Sequence, residues 1–171
     1  MPDNLIFRET QKFSLAWFWV FGLSWATALG VMGYTYFDLK TAGKLSNDFY
    51  ITFFLVIGVL TLVETLFFTA RLVIEVRESG VFIRYIPFHR HFKEILLDTC
   101  IKVQAVTYSP LGDYGGWGIR YAPKGRCYNC KGTQGVKLDF ANGNHIMLGT
   151  QKPQELEAAI RLIWKEGSPR L

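Results

Sequence analysis

Two apolar runs decide the fold of this chain: FSLAWFWVFGLSWATALGVMGYTYF (residues 13–37) and FYITFFLVIGVLTLVETLFFTA (residues 49–70). The first run contains no charged residue, and the second contains one, Glu64. As a helix each run would extend roughly 33 to 37 Å, at about 1.5 Å per residue, which exceeds the hydrocarbon core of about 30 Å. The runs and the short polar loop between them therefore predict a transmembrane hairpin over residues 13–70.

The segments that flank this hairpin differ from it in character. Residues 1–12 look too short to fold and are interpreted as a separate N-terminal segment. Residues 71–171 are polar, strand-patterned and long enough to bury one modest core. They carry a formal charge of +6, whereas residues 1–70 carry −1. A basic domain tethered at a bilayer is expected to meet anionic membrane lipids, and no nucleic-acid partner is expected.

The flanking charges predict the orientation of the hairpin. Four cations lie near the membrane on one side and two lie in the loop on the other, namely Arg8, Lys12, Arg71 and Arg77 against Lys40 and Lys44. By the positive-inside rule, both termini and the domain of residues 71–171 are cytoplasmic. The first run is too long for the apolar part of a removable signal peptide, so we expect it to remain as an anchor.

Small residues recur at every fourth position of the first run, at Gly22, Ala26 and Gly30. Such a stripe lets a second backbone approach closely, and in lipid this packing is a main source of helix association. The stripe predicts contact with the chain's own second helix around Gly58. A seam between copies of the chain is the alternative.

Glu64 is the one ionisable residue within the two runs. Charged groups inside a membrane span are by default functional candidates, here for a pore or proton path. Glu64 lies only six residues before Ala70, however, so it is roughly 9 Å from the helix end. The simpler interpretation is a side chain that reaches interfacial water or Arg71.

From Arg71 the hydrophobic period changes from helical to two, which indicates strands. Seven short strands are predicted, at residues 72–78, 81–85, 92–97, 101–108, 117–121, 136–140 and 145–148. Leu156, Ala159, Ile160, Ile163 and Trp164 then form one apolar stripe of a helix that begins near Pro153 and stops at Gly167. The predicted fold is an α+β membrane protein in which seven antiparallel strands and a C-terminal amphipathic helix resemble a pleckstrin-homology-like (PH-like) barrel.

Particular motifs strengthen this resemblance. They are Phe7-Arg8-Glu9 with Gln11 and Phe13, Arg84-Tyr85 with Pro87-Phe88-His89-Arg90, Tyr108-Ser109-Pro110-Leu111, residues 114–121 (YGGWGIRY), Lys124-Gly125, Gly135-Val136, and Gly149-Thr150-Gln151 with Pro153, Glu155 and Leu156. Together they resemble a bacterial family of two-span proteins with a cytoplasmic PH-like domain. The resemblance implies this fold and a location in the inner membrane. It implies no catalytic residue, because that family has no established activity.

Cys127 and Cys130 have the spacing of a zinc knuckle or a redox pair. Tetrahedral zinc needs four ligands, and the chain has only one such pair. We therefore expect a reduced pair without a function, with a zinc site or a disulfide as the alternatives.

Two surface segments are candidates for binding. The first interleaves aromatic and cationic residues and predicts contact with lipid headgroups, through Arg84, Phe88, His89, Arg90 and Lys93, together with Arg126. A solvated hairpin edge is the alternative for this segment. The second is a glycine-rich loop in which Tyr114, Trp117 and Arg120 are of the types that dominate protein interfaces. Its alternative is a β-bulge in which Trp117 covers the core.

No catalytic motif accompanies these segments, so neither an enzyme nor a cofactor is expected. The leading hypothesis is a protein-interaction or assembly module, in a homo-oligomer or as an accessory subunit of a larger membrane complex. A peripheral domain that senses anionic lipids is the first alternative. A small oligomeric channel or transporter component, built around Glu64, is the second.

Overall fold

The computed structural model describes residues 4–123 and 125–164. The chain divides into two compact units. One unit is residues 14–69, and the other combines residues 1–13 with residues 70–171. The predicted helix stop at Gly167 lies outside the described residues, as does Lys124.

Unit 14–69 consists of two helices, α1 (Trp17–Thr41) and α2 (Asn47–Thr69). Both sequences lack proline, and α1 ends where Gly43 adopts a positive φ of 67°. Aromatic rings join the helices near both ends, with centroids 5.1 Å apart for Trp17 and Phe67 and 5.9 Å apart for Tyr36 and Phe49. Within the described part of the chain, one helix, α2, is long and apolar enough to cross a membrane.

The predicted contact between the small-residue stripe and Gly58 is wrong. A Cβ atom placed on Gly22, Gly30 or Gly58 would meet no described atom within 4 Å, and Ala26 is exposed. The helices instead meet through bulky aromatic side chains, such as Phe18 against Phe68 and Phe21 against Phe67. The stripe therefore lies on a face of α1 that α2 does not cover.

The first sheet contains β1 (Leu5–Lys12), β2 (Arg71–Arg77), β3 (Gly80–Ile86) and β4 (Lys93–Ile95), paired antiparallel in this order. The prediction that residues 1–12 are too short to fold is therefore wrong. β1 turns Phe7 and Gln11 inward and pairs along β2, with Lys12 opposite Arg71. Unit 14–69 is thus an insertion between two neighbouring strands.

The second sheet contains β5 (Cys100–Thr107), β6 (Gly118–Ala122), β7 (Gly125–Asn129), β8 (Gln134–Phe140) and β9 (His145–Gly149). Their order is β5-β8-β9-β7-β6, and β7 runs parallel to β9. A short helix, α3 (Pro110–Tyr114), precedes β6. The described residues thus contain nine strands in two sheets rather than seven antiparallel strands in one closed barrel.

The core lies between the sheets and the last helix, α4 (Pro153–Ile163). Leu72, Ile74 and Tyr85 of the first sheet and Leu138 of the second are almost fully buried. The predicted amphipathic helix is confirmed, since Leu156, Ala159 and Ile160 of α4 face this core. The mixed α and β character predicted from the sequence is confirmed as well.

Candidate functional site

Local hydrogen bonds hold the start of α3, and three glycines follow in the loop that joins α3 to β6. The Ser109 hydroxyl accepts a hydrogen bond from the Gly112 N–H (3.1 Å), and an Asp113 carboxylate oxygen accepts one from the Ser109 N–H (2.8 Å). Gly115 ends α3 in the left-handed conformation with φ of 69°, and Gly116 and Gly118 also have positive φ. Because side chains disfavour these angles, the glycines permit a loop that other residues could not form without strain.

Asn129, at the end of β7, connects this loop to both sheets. Its fully buried amide donates to the Tyr108 hydroxyl (2.9 Å) and accepts from the Gly118 N–H (2.8 Å). Its carbonyl accepts from the Tyr85 hydroxyl of β3 (3.2 Å). All of these groups are buried or half-buried, so the network positions the start of β6 rigidly.

Of the three predicted interaction residues, Tyr114 and Trp117 are half-buried and Arg120 is exposed. The half-buried Tyr114 hydroxyl lies 2.9 Å from Nε2 of His145, and the Tyr114 ring packs against Tyr108. Arg120 is exposed, and its Nε donates to the Trp117 carbonyl (2.8 Å). The face open to a partner is therefore formed by Arg120 rather than by Tyr114. The sequence analysis missed its neighbour Tyr121, which is 72% exposed.

Cys127 and Cys130 are both buried, and they pack in different clusters. Cys127 lies with Tyr108 and Met147, whereas the Cys130 thiol donates to the Tyr85 hydroxyl (3.5 Å) in the main core. Burial raises the pKa of Cys127 to about 12 and also raises the pKa of Cys130. Thiols with raised pKa values are poor nucleophiles and poor metal ligands at neutral pH. Among the described residues, no group of three or more His, Cys, Asp or Glu could hold a metal ion.

The predicted lipid-contact residues do not form one patch. Phe88 is 61% exposed, and Arg90 and Lys93 are also exposed. The prediction for His89 is wrong, because its side chain is buried and its Nδ1 accepts a hydrogen bond from the Tyr85 N–H (3.2 Å).

The two remaining arginines of that prediction lie on different sheets. Arg84 is half-buried on β3, where its Nε approaches the His89 carbonyl (3.4 Å) and its guanidinium lies over the Phe92 ring. Arg126 lies on β7, where its guanidinium carbon is 5.6 Å from the Tyr121 ring centroid. Arg126 therefore belongs with the exposed end of β6.

Side-chain hydrogen bonds join β1 to the end of β9 and the segment that follows it. The Glu9 carboxylate accepts hydrogen bonds from the Thr150 hydroxyl and the Gln151 N–H, the latter at 3.0 Å. Gln11, which is 2% exposed, donates from Nε2 to the Gly149 carbonyl (2.6 Å). These contacts join two motifs that are distant in the sequence, residues 7–11 and 149–151, and give both a structural role.

Glu64 is half-buried on α2. Its Oε1 atom is shielded from solvent and has no hydrogen-bond partner among the described residues. The helical unit therefore shields one Glu64 carboxylate oxygen from water, and no hydrogen bond from the described residues offsets that loss of hydration.

These features define a class of protein. It has a domain of two mainly antiparallel sheets, held by buried polar networks, and a pair of apolar helices inserted between the first two strands of that domain. Residues 2–164 match DUF6141, a family of unknown function, and the chain belongs to that family. Neither the curated proteins nor the solved structures contain a match.

Proposed function

We propose that this protein is a non-enzymatic, membrane-anchored interaction module that serves as an assembly factor or accessory subunit of a membrane complex. The observation that carries the proposal is the exposure of Arg120 and Tyr121 on β6, a strand whose start is held by the hydrogen bonds of Asn129. Arginine and tyrosine are enriched at binding hot spots, and a fixed backbone lowers the entropy lost on binding. The buried cysteines of the same region argue against a reaction there.

The pairing of β1 with β2 supports two membrane crossings. If α2 spans a bilayer, a single crossing between Lys12 and Arg71 would leave these paired strands on opposite sides. An even number of crossings avoids this, which supports a crossing by α1 as well. At about 1.5 Å per residue, the 25 residues of α1 reach roughly 37 Å, which is sufficient.

For the unit that combines residues 1–13 with residues 70–171, we infer a more specific fold, a PH-like domain. Two strongly paired sheets enclose one core, and the apolar face of α4 closes it. In this interpretation β6 and β7 are an addition to the PH-like strand set. The addition carries the proposed interaction surface.

The test is the mass and composition of the complex purified from native membranes in mild detergent. We expect a stable assembly with other membrane proteins. Arg120→Glu should dissociate it, whereas Lys102→Glu, a charge reversal at an exposed residue of β5, should not. Recovery of the wild-type chain without any protein partner would contradict the proposal.

A lipid-sensing domain is the second candidate, because Phe88, Arg90 and Lys93 expose an aromatic ring and two cations in one short segment. Attraction through exposed cations is screened by salt, whereas a packed interface is screened less. A chain that co-purifies only with anionic lipid, and loses it at high salt, would favour this candidate.

A further inference from the structure

The two edges of the second sheet differ in how they are protected. β5 is covered by side chains of α4: the Ala105 N–H donates to Glu157 (3.0 Å), and the Val103 carbonyl accepts from Arg161 (2.6 Å). The Cys100 carbonyl of the same strand accepts from Trp164 Nε1 (3.2 Å). β6, at the other edge, is paired with β7 alone among the described strands. Uncovered strand edges are templates for pairing with another chain.

The register shows which groups β6 offers at this edge. Ala122 lies opposite Gly125, and two residues separate them in the sequence; in hairpins with a connection of this length the flanking pair exchanges hydrogen bonds. Along an antiparallel ladder, residues whose N–H and C=O groups face the partner strand alternate with residues whose groups face away. The N–H and C=O groups of Gly118, Arg120 and Ala122 therefore point toward β7. The Gly118 N–H also points to β7, where it donates to the side-chain Oδ1 of Asn129 rather than to a backbone carbonyl (2.8 Å). The N–H and C=O groups of Ile119 and Tyr121 therefore point away from the sheet.

The charge around this edge specifies the chemistry of an added strand. Neither β6 nor β7 contains a carboxylate. Arg120 extends from one face of the β6–β7 hairpin, while Arg126, packed over Tyr121, lies on the other. A second copy of β6 would bring arginine against arginine. An extended segment with acidic side chains would instead meet a cation on each face.

We propose that β6 docks an extended acidic segment of a partner protein, which joins the second sheet as a sixth strand. Main-chain hydrogen bonds to Ile119 and Tyr121 give the segment its affinity, and Arg120 and Arg126 select its charge. This inference rests on the proposed interaction function and names the surface and the partner chemistry for it.

The test uses the full-length protein in mild detergent and two labelled ten-residue peptides, one repeating Val-Val-Glu-Glu and the other Val-Val-Lys-Lys, so that each face of the added strand carries charged side chains. We expect the glutamate peptide to bind at least about tenfold more tightly than the lysine peptide. Tyr121→Pro removes an outward N–H while leaving the ladder with β7, because proline is tolerated at an edge facing solvent. It should weaken glutamate-peptide binding at least about tenfold.

Tyr121→Ala is the matched control, since it shortens the same side chain but keeps the N–H, and it should bind more tightly than Tyr121→Pro. A second variant, Arg126→Glu, leaves the backbone unchanged and should shift the preference toward the lysine peptide. Equal binding by Tyr121→Pro and Tyr121→Ala, or no effect of Arg126→Glu, would overturn the inference. So would a self-dimer that Tyr121→Pro dissociates, because the occupant would then be a second copy.

The same variant separates this inference from the proposed function. If Tyr121→Pro still co-purifies with its membrane partners, the interaction module stands and docking at β6 is wrong. If the wild-type chain binds the glutamate peptide but has no partner in native membranes, the assembly role is wrong and β6 remains a peptide-binding edge.

Discussion

Buried polar residues determine how the loops of this protein are held. Asn129 forms hydrogen bonds with three groups, and Gln11 joins β1 to the end of β9 through a hydrogen bond. A buried polar group that loses its partner costs about 1–3 kcal/mol, so each such residue makes one loop arrangement more stable than its competitors. His89 acts in the same way, since its ring accepts a backbone N–H that would otherwise be unpaired inside the first sheet.

His89 should make the stability of the protein depend on pH. Burial, and secondarily the charge of Lys93, lowers the pKa of His89 from its ordinary value of about 6.5. As the pH falls below that value, the unfolded chain binds a proton that the folded chain does not, so the free energy of unfolding decreases. We expect the thermal midpoint to fall between pH 7 and pH 5, and less steeply in His89→Gln.

The exposed neighbour His91 provides the control for this measurement, since His91→Gln should keep the wild-type slope. Part of the slope should persist in His89→Gln, because burial also lowers the pKa of His145. Identical pH profiles for wild type and His89→Gln would contradict the expectation.

At the scale of elements, α4 has two functions. Its apolar face covers the core, and its polar side chains hydrogen-bond to the backbone of β5. The apolar stripe was predicted from the sequence because it repeats with the helical period. The contacts of Glu157 and Arg161 with β5 could not be predicted, since both residues also form an ordinary i,i+4 ion pair on the helix surface.

Arg161→Ala should destabilise the folded protein by about 1 kcal/mol, because the Val103 carbonyl loses its side-chain donor. The freed edge of β5 should also increase self-association. Both effects can be measured on the purified protein, by thermal unfolding and by light scattering. Lys152→Ala, which breaks an exposed ion pair on the same helix, should have little effect; an equal loss in both variants would contradict the covering role.

Two strands, β1 and β7, were not predicted from the sequence, and each has a physical reason. β1 buries Gln11 at a core position and pairs with a strand that follows it only after the helical insertion. In β7 the consecutive residues Cys127, Tyr128 and Asn129 are all buried, so no alternation of apolar and polar residues marks the strand. By contrast, β2, β3, β8 and β9 have one buried face or lie beside a clear turn, and they were predicted nearly at their observed bounds.

At the scale of the whole molecule, the insertion between β1 and β2 constrains the topology more strongly than the flanking charges do. The charges favour one orientation by four cations against two, whereas strand pairing requires Lys12 and Arg71 to lie on the same side. Strand pairing therefore supports the number of crossings that we propose, and the charges support only their orientation.

Cysteine labelling in intact cells checks this topology. Asn4→Cys and Ser46→Cys place exposed thiols before α1 and in the loop between the helices. We expect a membrane-impermeant maleimide to label Ser46→Cys from outside and Asn4→Cys only after permeabilisation. The three native cysteines are buried, so the wild-type chain should label slowly. Labelling of both positions from the same side would exclude two crossings.

The place of β1 in the chain also has a consequence for biosynthesis. β1 is translated about sixty residues before its partner β2, and ribosomes add about 5–20 residues per second, so β1 waits roughly 3 to 12 s without a partner. Both inserted helices are made during this interval. The first sheet can therefore close only after both inserted helices have been synthesised.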